Sequence, residues 1–268
     1  MNMEAAYSYN YFLVGLSFLV SVFGSYTGLQ LMKAGRSAKG KSMYGWIATA
    51  ALALGGGAIW TMHFIGMLAY EMEMPVAYDP FLTFASLLLA VGVVGLGIFI
   101  LSKNVDSTVM LMVAGVITGL GVAVMHYMGM DAMVMAADMS YDTFWYYTSF
   151  VIGIVAATAA LWLAFNTQGG LQMFAASVVM GVAVCGMHYV GMYGMKMTPN
   201  GSVVDIESSI APLTLGLFIF CFTMLVLVLS LIVTLSQLQK KMYADFEEDE
   251  EDDDVDEEIN VSAVNAAS

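Results

Sequence analysis

Apolar runs of about twenty residues alternate with short polar intervals along the first 236 positions of the chain. The runs fall near residues 11–33, 45–70, 81–102, 109–135, 144–165, 171–195 and 211–236. Each matches the roughly 20 residues that an α-helix needs to cross the hydrocarbon of a bilayer. In lipid the backbone must satisfy its own hydrogen bonds, so spanning helices are the expected form. Asp79 followed by Pro80 predicts a cap and first turn, and Asp142 predicts a cap on the fifth helix. The pattern predicts an all-α, polytopic membrane protein with seven transmembrane helices, seated in a lipid bilayer.

Charge refines that picture. Only 11% of residues are charged, against about 25% in ordinary soluble domains. The net charge of −14 misleads, because twelve of the 22 acidic residues stand between Asp245 and Glu258. Residues 237–268 cannot build a core, and the pattern predicts an acidic, disordered cytoplasmic tail beside a membrane domain over 8–236. Lys33, Arg36, Lys39, Lys41, Lys103, Lys240 and Lys241 fall on one side of a seven-span layout. The other side holds Lys196 with Glu71, Glu73, Asp79, Asp131, Asp138, Asp142, Asp205 and Glu207. The positive-inside rule therefore places the N-terminus outside and the C-terminus in the cytoplasm. Tyr7, Tyr9, Tyr11, Trp145, Tyr146 and Tyr147 then join an outer aromatic belt. The first span lacks a basic leader, which predicts a retained helix rather than a cleaved signal. Cys185 and Cys221 both lie in apolar runs and read as packing residues, not as a disulfide framework. Nucleic acid is not an expected partner.

The three histidines share one frame. His63, His126 and His188 stand in "TMHFIGML", "VMHYMGMD" and "GMHYVGMY", each Met-His-aromatic-x-Gly-Met. Gly56, Gly119 and Gly181 precede them by seven residues. The body reads as three copies of a two-helix unit, about 11–70, 81–135 and 144–195, with an extra helix at 211–236. Repetition alone shows only common origin, so the chemistry needs a separate argument.

Helical geometry supplies it. Residues i and i+4 share a face, so His63 aligns with Met67, His126 with Met130 and His188 with Met192. Tyr70, Met133 and Met195 continue that face one turn outward, and the glycines lie two turns deeper, where they permit close helix contact. Three inward stripes bring three imidazoles together at one depth in the outer half of the membrane. Polar side chains in a membrane usually face the bundle interior with a partner. No carboxylate recurs beside the histidines, whereas methionine does. Imidazole with thioether suits copper, the sulfur favouring Cu(I). The plain alternative is packing, because the chain has 24 methionines and methionine fills cores well. The methionine just before each histidine lies about 100° around the helix and reads as packing as readily as ligand. The outer Met72, Met74, Met133, Met135, Met195 and Met197 read mainly as interface packing, with copper guidance as the sharper reading.

The triple motif resembles the MHYT domain, a bacterial integral-membrane sensor module. The resemblance covers about residues 8–235. No Thr follows the aromatic residue in any copy, and the first copy has Phe64 in place of Tyr. The resemblance implies a copper site near the outer face of the bacterial cytoplasmic membrane, proposed to sense oxygen, carbon monoxide or nitric oxide. Carried over by position, it implies roles for Met62, His63, Met125, His126, Tyr127, Met187, His188 and Tyr189, with tyrosines and preceding methionines as further ligands or supporting groups. Family members often continue into cyclic-diguanylate enzymes or histidine kinases. No such segment follows the seventh span, so signalling to a separate cytoplasmic partner is expected, and the chain itself is not expected to be an enzyme.

The leading expectation is a copper-holding sensor of a diatomic gas, or of copper or redox state. A copper-binding or copper-transport protein is the alternative, and no inner-half histidine or repeated carboxylate supports a relay. A zinc hydrolase would need an activating carboxylate. Haem remains open, because imidazole and thioether are both axial ligands. Retinal is excluded by the lack of a lysine in the seventh helix.

Overall fold

The computed structural model describes residues 7–35, 41–167, 169–202 and 208–236 apart from 230 and 234, together with residues 239 and 243. Arg36, Lys39, Asp205, Glu207, Lys240, Lys241 and the acidic tail lie outside the described residues.

Seven helices are long and apolar enough to cross a membrane. The first is α1 (Tyr11–Gly35). The second span is composite: α2 (Lys41–Ala51), a π-helical stretch over Leu52–Trp60, and α3 (Thr61–Leu68). Then come α4 (Pro80–Ser102), α5 (Thr108–Asp131), α6 (Thr143–Asn166), α7 (Gly170–Tyr193) and α8 (Pro212–Val233). Neighbours pack in a closed circuit, α1 with the second span, then α4, α5, α6, α7 and back to α1. α8 lies outside this circuit, with Phe218 and Phe222 against Trp60 and Val226 beside Gly57.

Three helical pairs are each fastened in the same way. Short strands β1 (Tyr7–Tyr9) and β2 (Tyr70–Met72) flank the first pair, β3 (Ala77–Tyr78) and β4 (Met133–Val134) the second, β5 (Ala137–Tyr141) and β6 (Met195–Pro199) the third. Each strand before a pair runs antiparallel to the strand after it. Beneath each ladder a polar residue caps the incoming helix. Asn10, Asp79 and Asp142 accept from the backbone of Leu13, Leu82 and Phe144 at 3.3, 2.7 and 3.0 Å. Their own N–H groups donate to the carbonyls of Ala69, Ala132 and Gly194, where the returning helix ends. One residue thus caps one helix and ties down the end of its mate, which satisfies backbone groups that a helix end leaves open.

These ties correct the expected helix ends. The sequence pattern carries the helices to 70, 135 and 195, but they stop at Leu68, Asp131 and Tyr193. Tyr70, Met133 and Met195 are therefore the first residues of β2, β4 and β6 rather than a further helical turn. They remain buried. The competing interaction is the strand ladder, which captures the backbone as soon as the chain leaves the apolar interior.

The small residues do two jobs. A methyl group on Gly119 would strike the backbone of Gly153 and Ile154, so α5 and α6 touch there main chain to main chain. In the second span the corresponding contact is made by Gly55, against the backbone of Ala90 and Val91. Gly56, at the expected position, faces Phe222 and Leu87 instead. The π-helical stretch, with more residues per turn, accounts for this one-residue offset. Gly181 packs on Val22 and Phe18 of α1.

Candidate metal centre

His63, His126 and His188 are fully buried, one each from α3, α5 and α7. Their Nδ1 atoms converge. His63 Nδ1 lies 3.0 Å from His188 Nδ1 and 3.1 Å from His126 Nδ1, and the third side is 3.3 Å. The three rings stand nearly perpendicular to one another, like blades around an axis. No Asp, Glu or Cys among the described residues joins this group.

Three such nitrogens cannot satisfy one another. An imidazole Nδ1 carries either a hydrogen or a lone pair, so it donates or accepts but never both. In a triangle, two corners must then be alike, and that pair is in conflict whatever the tautomers. Low dielectric makes an unresolved contact of this kind costly. A cation bound by three lone pairs removes the conflict. The centre of the triangle is about 1.8 Å from each nitrogen, close to the ~2.0 Å of a metal–imidazole bond. The residues present therefore fit a metal ion.

The backs of the rings show how each histidine is held. A methyl group on Gly129 would overlap Nε2 of His63, one on Gly191 would overlap His126, and one on Gly66 would overlap His188. Each imidazole turns its Nε2 edge to the glycine three residues beyond the next histidine in the circuit. All three Nε2 atoms are buried and have no hydrogen-bond partner. The motif glycine is thus a seat for a neighbour's ring, a role its own helix gives no sign of.

The aromatic residue after each histidine points to the adjacent helix. Tyr127 Oη lies 2.8 Å from Ser149 Oγ on α6, and Tyr189 Oη lies 2.9 Å from Ser17 Oγ on α1. Both serine hydroxyls donate at 2.7 Å to the carbonyl three residues back, at Tyr146 and Val14, so the phenols donate to the serines. Phe64 has no hydroxyl, and in that copy the Trp60 indole N–H donates to Ser86 Oγ at 3.0 Å. Ser17, Ser86 and Ser149 each stand six residues into their helix, and the sequence reading did not single them out.

Met67, Met130 and Met192 are fully buried one turn from the histidines toward the strands, and Met62, Met125 and Met187 are fully buried beside them. Met133, Met135, Met195 and Met197 are buried at the strand end. There burial raises the phenols of Tyr9, Tyr78 and Tyr141 above their ordinary value of about 10, the last with help from the nearby Asp131 carboxylate. Tyr9, Tyr78 and Tyr141 are therefore neutral phenols.

The model of the MHYT family, described as a bacterial signalling protein N-terminal repeat, matches residues 56–114, 119–177 and 181–243. The three matches open on Gly56, Gly119 and Gly181. Among curated proteins, the bifunctional diguanylate cyclase/cyclic di-GMP phosphodiesterase MucR of Pseudomonas aeruginosa is 40% identical over 200 residues, 73% of this chain and 29% of that protein. The signaling protein YkoW of Bacillus subtilis is 31% identical over 239 residues, 84% of this chain and 29% of its own length. The cyclic di-GMP phosphodiesterase NbdA of P. aeruginosa is 32% identical over 217 residues, 78% of this chain and 27% of its own. The chain thus spans less than a third of each relative. No solved structure matches it. With three copies of the family repeat covering well over half its length, the chain belongs to the MHYT family of bacterial signalling proteins.

Proposed function

We propose that this membrane domain is a sensor whose three histidines hold a copper ion, with a diatomic gas or the copper redox state as the input. The observation that carries the reading is the closed triangle of Nδ1 atoms, which no set of tautomers satisfies without a cation. Copper, when bound, supplies an open coordination position for a diatomic ligand and a one-electron redox couple. His63, His126 and His188 bind it through Nδ1, while Gly66, Gly129 and Gly191 leave room for the Nε2 edges of the rings. Met67, Met130 and Met192 offer thioethers one turn away, which favours the softer Cu(I) over zinc. Tyr127 and Tyr189 serve by pinning their helices to Ser149 and Ser17 rather than as ligands.

In this reading the strand end faces outward and the Lys33 and Lys103 end faces the cytoplasm, in line with the positive-inside rule. The signal passes to a cytoplasmic signalling protein, and the enzymes named among the relatives make cyclic di-GMP turnover the expected output. A ligand shifts the bundle only by its differential affinity for two arrangements.

The test is metal analysis with an optical spectrum of detergent-purified protein. We expect copper bound to the wild type and no Soret band. His63→Ala, His126→Ala and His188→Ala should each lose most of it. Full copper occupancy in all three variants refutes the assignment, and a Soret band would move it to haem.

A further inference from the structure

A cavity of about 60 Å³ lies inside the bundle on the side of the histidines away from the strands. Ile59, Val122 and Val184 line it, each four residues before a histidine, so its near end is one helical turn from the cluster. Ala157 and Ala160 of α6 line it further down, with Leu54 of the π-helical stretch opposite. A π-helical turn in an otherwise regular span is a frequent mark of a functional site.

The volume is several times the roughly 10–15 Å³ that one water needs, yet the walls are wrong for water. An internal water makes about three hydrogen bonds. The Ser25 hydroxyl is buried in the wall with no partner. The other hydroxyl there, on Thr118, is already directed at the Val93 carbonyl at 3.4 Å. The remaining lining is alanine, glycine and larger apolar side chains. Apolar cavities of this kind stay dry and take up small apolar solutes such as xenon.

We infer that this cavity is a binding site for a small, uncharged, apolar molecule, held one turn beneath the histidine cluster. The inference rests on the sensor reading for its purpose, since it gives the sensed molecule a place next to the Nδ1 triangle. It does not rest on copper for its test. Ile59, Val122 and Val184 stand one turn from the histidines, and Ser25 offers a single donor to a weakly polar occupant.

Xenon NMR on metal-free protein in detergent decides it. Wild type should shift the xenon resonance saturably beyond the linear effect of empty micelles. Ala157→Leu and Ala160→Leu put side-chain atoms into the space and should weaken xenon binding at least about tenfold. Val122→Ala enlarges the space and should strengthen it. A wild type that shows only the micelle effect overturns the inference, as do filled variants that bind xenon like the wild type. If a filled variant does not fold, unchanged affinity in Val122→Ala overturns it equally. A separate arm exposes copper-loaded wild type to carbon monoxide and reads the infrared stretch. Failure there removes the gas-sensor reading and leaves the xenon result to stand or fall alone.

Discussion

Adding one methyl group at Gly129 should unseat a histidine on another helix. An ideal Cβ there lies 2.8 Å from Cδ2 of His63 and nearer still to Nε2. Packed heavy atoms prefer roughly 3.5–4.0 Å, so the ring must withdraw by about 1 Å. Metal sites tolerate ligand displacements of about 0.2 Å. One of three nitrogens is then lost to the ion, and affinity should fall by at least about 10- to 100-fold. Overpacking should also cost about 1–3 kcal/mol, set against at most about 1 kcal/mol gained by replacing a helical glycine with alanine. Gly92→Ala and Gly186→Ala are the controls, since nothing lies within 4 Å of a methyl group at either. They should keep their metal and melt at or above the wild-type temperature. The assay is metal content per chain together with thermal unfolding in detergent. If Gly129→Ala retains full occupancy and melts no lower than Gly186→Ala, the seating of His63 by Gly129 is wrong. Gly66→Ala and Gly191→Ala extend the same test to His188 and His126.

Four further outcomes are expected. Tyr127→Phe and Tyr189→Phe should each cost about 1 kcal/mol of stability, seen as a lower melting temperature, while metal content changes little. Leucine at Met67, Met130 or Met192 should weaken Cu(I) binding in a competition titration without unfolding the protein, because the volumes are similar. Single cysteines introduced in 71–80 should react with a membrane-impermeant reagent in intact cells, and cysteines in the acidic tail should not. Removal of residues 245–268 should leave metal content and melting temperature at wild-type values.

The helices were legible because apolar length is a sufficient signal in lipid, and the histidine frame because it occurs three times. The sequence pattern also placed the caps at Asp79 and Asp142. Other features depend on what faces what. The glycine beside His63 is Gly129, 66 positions away, and no periodicity within one helix points to it. The π-helical stretch "LALGGGAIW" has the composition of any small-residue span, so its altered winding and the shift from Gly56 to Gly55 leave no trace in the pattern. The strands are only two to five residues long, too short for an alternating pattern to show, so only their pairing reveals them. Ser17, Ser86 and Ser149 did leave a trace, since each follows its cap residue by seven positions.

The closed circuit of helices also governs when the histidine cluster comes into being. His63 and His188 are 125 positions apart, and their meeting requires α7 to dock on α1. Contacts between such distant parts of a chain form late, after the entropy of loop closure has been met. The first and second hairpins can fold against each other and bring His63 to Gly129, yet His126 has no seat until Gly191 arrives with the third. A nascent chain that has released only four spans therefore holds two histidines and no trap for an ion. If the three histidines hold an ion as proposed, its capture would come at the end of assembly and would lock the last hairpin to the first.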